Sequence, residues 1–234
     1  MVHLITVSDA HLLDKNMANY SNFIDFLKYW INNPPKNFVL LGDIFDFYCN
    51  SNKRAFFQYK EIIKLLETLS QKTNLIFIEG NHEFSISLDN LKIIKENTII
   101  KINNKKVYFA HGDIETTYKL SYLFLRKFLH SNKAELLCKL IPDNLIWNIA
   151  TTISGYSKKH QIFDDYFKIN KRMIKFVKVI KPKADIAIFG HSHYNFIHSS
   201  TRPLIINSGS WIENKFIIWE NNTIEVRNWK NLKK

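Results

Sequence analysis

Only six glycines occur in the 234 residues, and four of them close short apolar runs. Phe38–Leu41 runs into Gly42, Leu75–Ile78 into Glu79-Gly80, Lys106–Ala110 into His111-Gly112, and Asp185–Phe189 into Gly190. Short apolar runs bounded by turn residues read as buried strands. Between them lie longer segments with helical spacing. One is Tyr20–Ile31, ended by Asn32-Asn33-Pro34-Pro35; another is Arg54–Leu69, with Ile62, Ile63, Leu65, Leu66 and Leu69 on one face. Val2–Val7 supplies a first strand, Thr98–Ile102 pairs with Lys106–Ala110 across Asn103-Asn104, and residues from about Asn195 to Trp229 read as short strands. Strands alternating with helices specify an α/β domain. Residues 117 to about 180 break the alternation, with several helical segments and almost no strand signal. The chain therefore reads as one domain, 1–234, with a helical insertion at about 117–180, long enough to bury a core without metal or disulfide staples.

Each closing glycine stands beside residues that ligate metals. Five blocks result: Asp9-Ala10-His11, Gly42-Asp43-Ile44-Phe45-Asp46, Gly80-Asn81-His82-Glu83, His111-Gly112-Asp113 and Gly190-His191-Ser192-His193. Residues just past the carboxyl ends of strands share one rim of an α/β sheet, where sites are commonly built. Glycine there lets the backbone turn sharply and approach an ion. Carboxylate, imidazole and amide oxygen together suit a divalent metal of intermediate hardness, such as Mn, Fe or Zn. One carboxylate can bridge two such ions at roughly 3.5–4 Å, the spacing for in-line displacement at phosphorus, where the pair would acidify a bridging water.

The five blocks, in this order over residues 9 to 193, resemble the calcineurin-like metallophosphoesterase superfamily. The resemblance implies two packed β-sheets flanked by helices and a dinuclear site. It assigns Asp9, His11, Asp43 and His193 to one metal, and Asp43, Asn81, His111 and His191 to the second, with Asp43 bridging. His82 would stand outside the ligand set and stabilise the transition state or protonate the leaving oxygen. Chain length, block spacing, Gly42-Asp43-Ile44-Phe45-Asp46-Phe47 and the size of the insertion are similar to the UDP-2,3-diacylglucosamine pyrophosphatase family of lipid A synthesis. That narrower resemblance implies cleavage to 2,3-diacylglucosamine 1-phosphate and UMP. It also implies two divalent ions, Mn first with Fe and Zn as alternatives. The insertion would then be a lid binding acyl chains and nucleotide-sugar, through Arg126 and the stretch holding Ser154, Ser157, Lys158 and Lys159. Four features depart from that family: His82 where it has Arg, Glu83 where it has Asp, Ile114-Glu115-Thr116-Thr117 in place of an acidic pair, and the ending Asn207-Ser208-Gly209-Ser210-Trp211.

Other residues admit plainer readings. Asp46 could support a ligand histidine or cap a turn; Glu83 could orient His82 or lie exposed; Asp113 could fix a ligand tautomer or close its turn. His3, His130, His160 and His198 lie outside the blocks and read as ordinary histidines, and Cys49 and Cys138 as free thiols. In the insertion, Tyr118, Tyr122, Leu125 and Leu129 recur at helical spacing, Leu136, Leu137, Leu140 and Ile141 form a second group, and Asn144–Ser157 carries no formal charge. Such stripes pack a small helical core, or line a greasy chamber flanked by Arg126, Lys127, Lys158 and Lys159. The net charge of +12 reflects either a coding bias toward Lys, Ile and Asn or a polyanionic partner. That partner could be a nucleotide-lipid, with peripheral contact to an anionic membrane surface, or, for another phosphoesterase of the superfamily, a nucleotide, nucleic acid or phosphoprotein. No run of 18 apolar residues spans a membrane, and no signal peptide is evident, so the expected location is cytoplasmic, peripheral at the inner membrane. A non-catalytic protein-binding scaffold ranks last, because none of the seven ligand residues is missing.

Overall fold

Successive residues of a strand point to opposite faces, so a strand that is apolar at every position must be covered on both sides. The computed structural model shows how this chain meets that demand. It describes residues 1–117, 119–160, 163–180, 183–200 and 202–232, without the side chains of 156–160 and 163–165. The first half runs β1 (Val2–Val7), α1 (Ala18–Asn32), β2 (Asn37–Leu41), β3 (Tyr48–Cys49), α2 (Lys53–Ser70), β4 (Asn74–Ile78), β5 (Glu83–Phe84), β6 (Lys92–Ile94), β7 (Asn97–Ile102) and β8 (Lys105–Ala110). Five helices follow: α3 (Asp113–Thr116), α4 (Leu120–Leu129), α5 (Asn132–Leu140), α6 (Asp143–His160) and α7 (Phe163–Ile180). The chain then returns to β9 (Ile186–Phe189), β10 (Phe196–His198), β11 (Leu204–Asn207), β12 (Lys215–Glu220), β13 (Thr223–Asn228) and α8 (Trp229–Leu232).

One sheet has the order β13-β12-β1-β2-β4-β6 and the other β10-β11-β9-β8-β7; β3 and β5 form a small third ladder. β1, β2 and β4 are parallel, as crossovers through α1 and α2 require; β6 runs parallel beside β4, and β12 returns antiparallel to β1. Alternate residues build three cores. Leu4, Val39, Leu41, Ile76 and Ile78 of the first sheet meet Val107, Phe109, Ile186, Ile188 and Ile206 of the second. The intervening Ile5, Phe38, Leu40 and Phe77 face α1 and α2. Tyr108, Ala110, Ala187 and Phe189 face Met173 and Val177 of α7. The result is a helix–sheet–sheet–helix stack, the α/β arrangement with two packed sheets that the motifs imply.

The insertion lies between β8 and β9 and is tied down at polar points. Asn52 caps α2 by accepting from the Ala55 amide, donates to the Asp143 carbonyl, and thereby joins the starts of α2 and α6. Arg126 is buried in the last turn of α4. Its guanidinium pairs with Asp113 at 2.8 Å and donates to the carbonyls of Gly80, Glu79 and Lys95. A three-carbon stem in an apolar helix face carries the charge inward because these acceptors await it. Among the described residues no helix is long and apolar enough to cross a membrane.

Replacing Arg126 with Ala strands a buried carboxylate, so Arg126→Ala should cost about 3–5 kcal/mol of unfolding free energy. Urea denaturation reads this directly. A loss below about 1 kcal/mol would mean that the pair behaves as an exposed one.

Candidate metal centre

Every block leaves the carboxyl end of a strand. Asp9 and His11 follow β1, Asp43 follows β2, Asn81 follows β4, His111 follows β8, and His191 and His193 follow β9. The first three strands belong to one sheet and the last two to the other, so the residues meet where the two sheet rims face each other. Five of these seven hold left-handed backbone: Asp9 (φ 51°), His11 (42°), Asp43 (53°), His191 (66°) and His193 (58°). Such conformations cost about 1–3 kcal/mol each and persist only where surrounding contacts over-determine them. Here those contacts are hydrogen bonds between blocks. The Asp9 amide donates to the Gly42 carbonyl (3.0 Å), the His11 amide to the Asp43 carbonyl (2.9 Å), and the Gly190 amide to the His111 carbonyl (3.0 Å). The His191 amide donates to the Asp9 carboxylate at 2.9 and 3.1 Å.

Two glycines permit the closest approach. A Cβ on Gly42 would stand 2.6 Å from the Gly80 Cα, and one on Gly80 would stand 2.1 Å from Asp43 Oδ1. The β2 and β4 turns therefore touch backbone to backbone beneath the Asp43 carboxylate.

Above this floor the side chains converge in three groups: Asp9, His11 and His193; His11, Asp43 and His82; and Asp43, His111 and His191. Asp43 Oδ2 is 3.5 Å from His111 Nε2, 3.8 Å from His11 Nε2 and 3.9 Å from His82 Nε2. Asp9 Oδ1 is 3.3 Å from His193 Nε2, which in turn is 3.2 Å from His11 Nε2. Asn81 Oδ1 is 3.2 Å from His111 Nε2. Asp43 thus stands between the two outer groups, as a bridging ligand would.

The electrostatics fit divalent cations. His111 Nδ1 donates to the Leu41 carbonyl at 2.7 Å, so Nε2 is the atom that faces Asp43 and Asn81. Burial would depress this imidazole, but Asp43 outweighs burial and lifts it to about 10. The pocket demands positive charge at Nε2, which a cation can supply in place of the proton. Burial and the neighbouring His111 hold His191 down at about 4, leaving a neutral nitrogen able to ligate at neutral pH. Burial works to raise both aspartates, yet the adjoining histidines, His193 for Asp9 and His111 for Asp43, keep them ionised.

Supporting residues take places the sequence left open. Asp46 lies 3.6 Å from His11 Nδ1 through Oδ1, and that oxygen also accepts from Ser154 of α6 at 2.8 Å. Ser154 is therefore buried against the centre. Glu83 does not orient His82. It is buried, and its carboxylate accepts from the amides of Asp43 (2.9 Å), Phe45 (2.8 Å) and Gly80 (3.2 Å), pinning the second block to the third. Asp113 fixes no tautomer; it opens α3, pairs with Arg126 and accepts from the Tyr122 hydroxyl at 2.6 Å. His82 Nδ1 donates to the Asp46 carbonyl (2.8 Å), turning Nε2 toward Asp43. His130 holds Glu79 at 2.7 Å, and both cysteines are buried free thiols. Tyr118 and the side chains of Ser157, Lys158, Lys159 and His160 lie outside the described residues.

Several residues of the site carry no motif. Ser210 Oγ donates to the Asp9 carbonyl (2.7 Å), Asn207 Nδ2 to the Gly190 carbonyl (2.6 Å), and Ser8 meets Ser208 at 2.6 Å, so the Asn207–Trp211 ending braces the first and fifth blocks. Lys119 and Arg172 line the cleft over the cluster, and Tyr166 stacks on His193 at 5.8 Å.

The calcineurin-like phosphoesterase family model matches residues 2–195, and the chain belongs to that family. It is a hydrolase, a metallophosphoesterase whose family implies divalent metal ions. Curated relatives carry the name UDP-2,3-diacylglucosamine hydrolase. One from Blochmanniella pennsylvanica is 28% identical over 221 residues, covering 89% of this chain and 88% of its own. One from Coxiella burnetii is 26% identical (86% and 84%), and one from Haemophilus influenzae 25% identical (92% of each). Among solved structures, a Vps29 mutant from Entamoeba histolytica is 14% identical over 97% of each chain, with a TM-score of 0.49.

Gly80→Ala should push the Asp43 carboxylate aside by about 1 Å and slow hydrolysis of bis-p-nitrophenyl phosphate roughly 100-fold, with a parallel fall in bound Mn²⁺. Elemental analysis beside initial rates checks it; unchanged metal and rate would show that the two turns need no direct contact.

Proposed function

We propose that the protein hydrolyses the diphosphate linkage of UDP-2,3-diacylglucosamine, releasing UMP and 2,3-diacylglucosamine 1-phosphate, with Mn²⁺ as the preferred ion. The observation that carries this reading is a chamber of about 610 Å³ beside the metal cleft. Leu125, Leu137, Ile146, Ile149 and Ile153 of the insertion line it, and Asn81, His82 and Tyr122 border both spaces. An apolar chamber opening onto a charged cleft suits a substrate with acyl chains at one end and phosphates at the other. The names of the relatives, which span most of both chains, support the same substrate. Leu120, Phe124 and Leu140 are 69–71% exposed on the insertion, which supports uptake of a lipid from a membrane surface.

Asp9, His11, Asp43 and His193 would hold one ion, and Asp43, Asn81, His111 and His191 the other; when bound, the ions supply Lewis acidity and an acidified water. The chain's own residues do the rest. The Asp46 carbonyl fixes the orientation of His82, and the Ser154 hydroxyl holds the Asp46 carboxylate. His82 Nε2, outside the proposed ligand set, is placed to pass a proton to the leaving oxygen. The apolar walls exclude water from that transfer.

Turnover in detergent with Mn²⁺ should be robust for UDP-2,3-diacylglucosamine and absent for UDP-N-acetylglucosamine, read as UMP release. Cleavage of bis-p-nitrophenyl phosphate without cleavage of the diacylated substrate would leave the enzyme class standing and overturn the substrate. Asp43→Ala should remove the bridge and nearly all activity. His82→Ala should slow turnover roughly 10²–10⁴-fold with metal content unchanged; loss of an ion in that variant would make His82 a ligand.

A further inference from the structure

The chain contains two cysteines, and the fold brings them together where the insertion meets the body of the domain. Cys49 closes the short strand β3, just past the second block, and Cys138 lies on α5. Both belong to the same apolar core, Cys49 fully buried and Cys138 7% exposed. Their thiols hydrogen-bond to each other. Polar contacts beside the pair hold this seam in place. Ser51 Oγ donates to Glu135 Oε1 at 3.4 Å, and Glu135 and Cys138, three residues apart on α5, share a helix face. The Asn52 side chain donates to the Asp143 carbonyl and the Lys53 amide to the Asp143 carboxylate, each at 3.1 Å. Cysteines whose side chains point apart cannot be bridged, whereas these two meet at their sulfur atoms. Cys138 also lines the apolar chamber. Leu137 and Ile141 line it from the same end of α5, and Phe47 and Phe84 line it from the body, so the seam between α5 and β3 is one edge of that chamber.

We infer that Cys49 and Cys138 are a peroxide-responsive thiol pair, whose reversible disulfide fastens α5 to β3 and narrows the chamber. A small uncharged oxidant reaches Cys138 through the chamber, while Cys49 is sealed behind it. The hydrogen bond with Cys49 holds the Cys138 thiol below its ordinary range, against burial and the nearby Glu135 and Asp143, which favours the reactive thiolate. The Cys138 sulfur attacks one oxygen of hydrogen peroxide; the O–O bond breaks, leaving a sulfenic acid and one water. The Cys49 sulfur then attacks that sulfenic sulfur. The S–S bond forms, the S–O bond breaks, and the hydroxyl leaves with the Cys49 proton as a second water. Two thiols lose two hydrogens and two electrons, and the peroxide takes both. A dithiol reverses the bond by exchange. A covalent bond of about 2.05 Å replaces contact between unbonded sulfurs, which draws α5 toward β3. The bridge acts on the chamber, so any long apolar chain entering it meets the narrower space, whatever head group it carries.

The test treats the Mn²⁺-loaded full chain with hydrogen peroxide and reads the bond and the chamber separately. Peroxide should remove both alkylatable thiols and lower the mass by about 2 Da. Digestion should yield one peptide pair joined through Cys49 and Cys138, with the protein still monomeric on a non-reducing gel. Dithiothreitol, removed afterwards by desalting, should return both thiols. The chamber is read by the fluorescence of cis-parinaric acid, whose affinity should fall about tenfold on oxidation and recover on reduction. Hydrolysis of bis-p-nitrophenyl phosphate, which needs no chamber, should hold steady throughout. In Cys49→Ala the sulfenic acid of Cys138 should instead be trapped by dimedone, and peroxide should leave parinaric acid binding unchanged. Thiols that both survive peroxide overturn the pair, as does a bond only between two chains. A bond that forms without moving parinaric acid affinity overturns the link to the chamber, and so does an equal loss of affinity in Cys49→Ala. None of these readouts uses the diacylated substrate, so its failure as a substrate and the failure of the switch are distinguishable.

Discussion

The contact on which the site depends is the one between the β2 and β4 turns. Gly42 and Gly80 bring two backbones together so closely that neither has space for a Cβ, and Asp43 rises from that floor between two histidine groups. Parallel pairing of β2 with β4 in register aligns the two turns, and the packing of the second sheet sets His111 and His191 opposite them. Once Asp43 is buried there, the rest follows electrostatically. A carboxylate in that position lifts His111 against the effect of burial, to about 10, and is itself kept ionised by that imidazole. A divalent cation satisfies several of these groups together, which individual protons do less well because each sits on one nitrogen.

The strain of the site is distributed in the same way. Five proposed ligand residues hold left-handed backbone, and the neighbouring blocks hold them there: β1's turn against β2's, β8's against β9's, and the Asn207–Trp211 ending against β1 and β9. Glu83 extends this logic. Its carboxylate takes three amides from two blocks while burial and the nearby Asp43 push its pKa up to about 8. A group so placed acts by gathering backbone, which is why its neighbour His82 relies on the Asp46 carbonyl instead.

The architecture was legible in the sequence because each central strand is apolar on both faces, which demands a layer on either side. The blocks were legible because ligand types recur beside strand-closing glycines. What escaped was whatever depends on partners far apart in the chain. Nothing in Glu83's surroundings points to the amides of Asp43 and Phe45, about forty residues earlier. Arg126 reads as a flank of an apolar stripe until Asp113 and three carbonyls appear around it. Lys119 and Arg172 are hidden by abundance, since 33 lysines and arginines give no reason to single out two. The short β3, β5 and β6 have too few residues for a period to register.

The same long-range ties connect the insertion to the chemistry. α4 reaches the third and fourth blocks through Arg126 and Tyr122, and α6 reaches the second through Ser154 and Asp46. The apolar chamber that these helices enclose is therefore not free to rearrange independently of the ligand loops. A chamber and a metal cleft that share Asn81, His82 and Tyr122 as a common wall are thus held by the same few residues, so a change in one wall is a change in both.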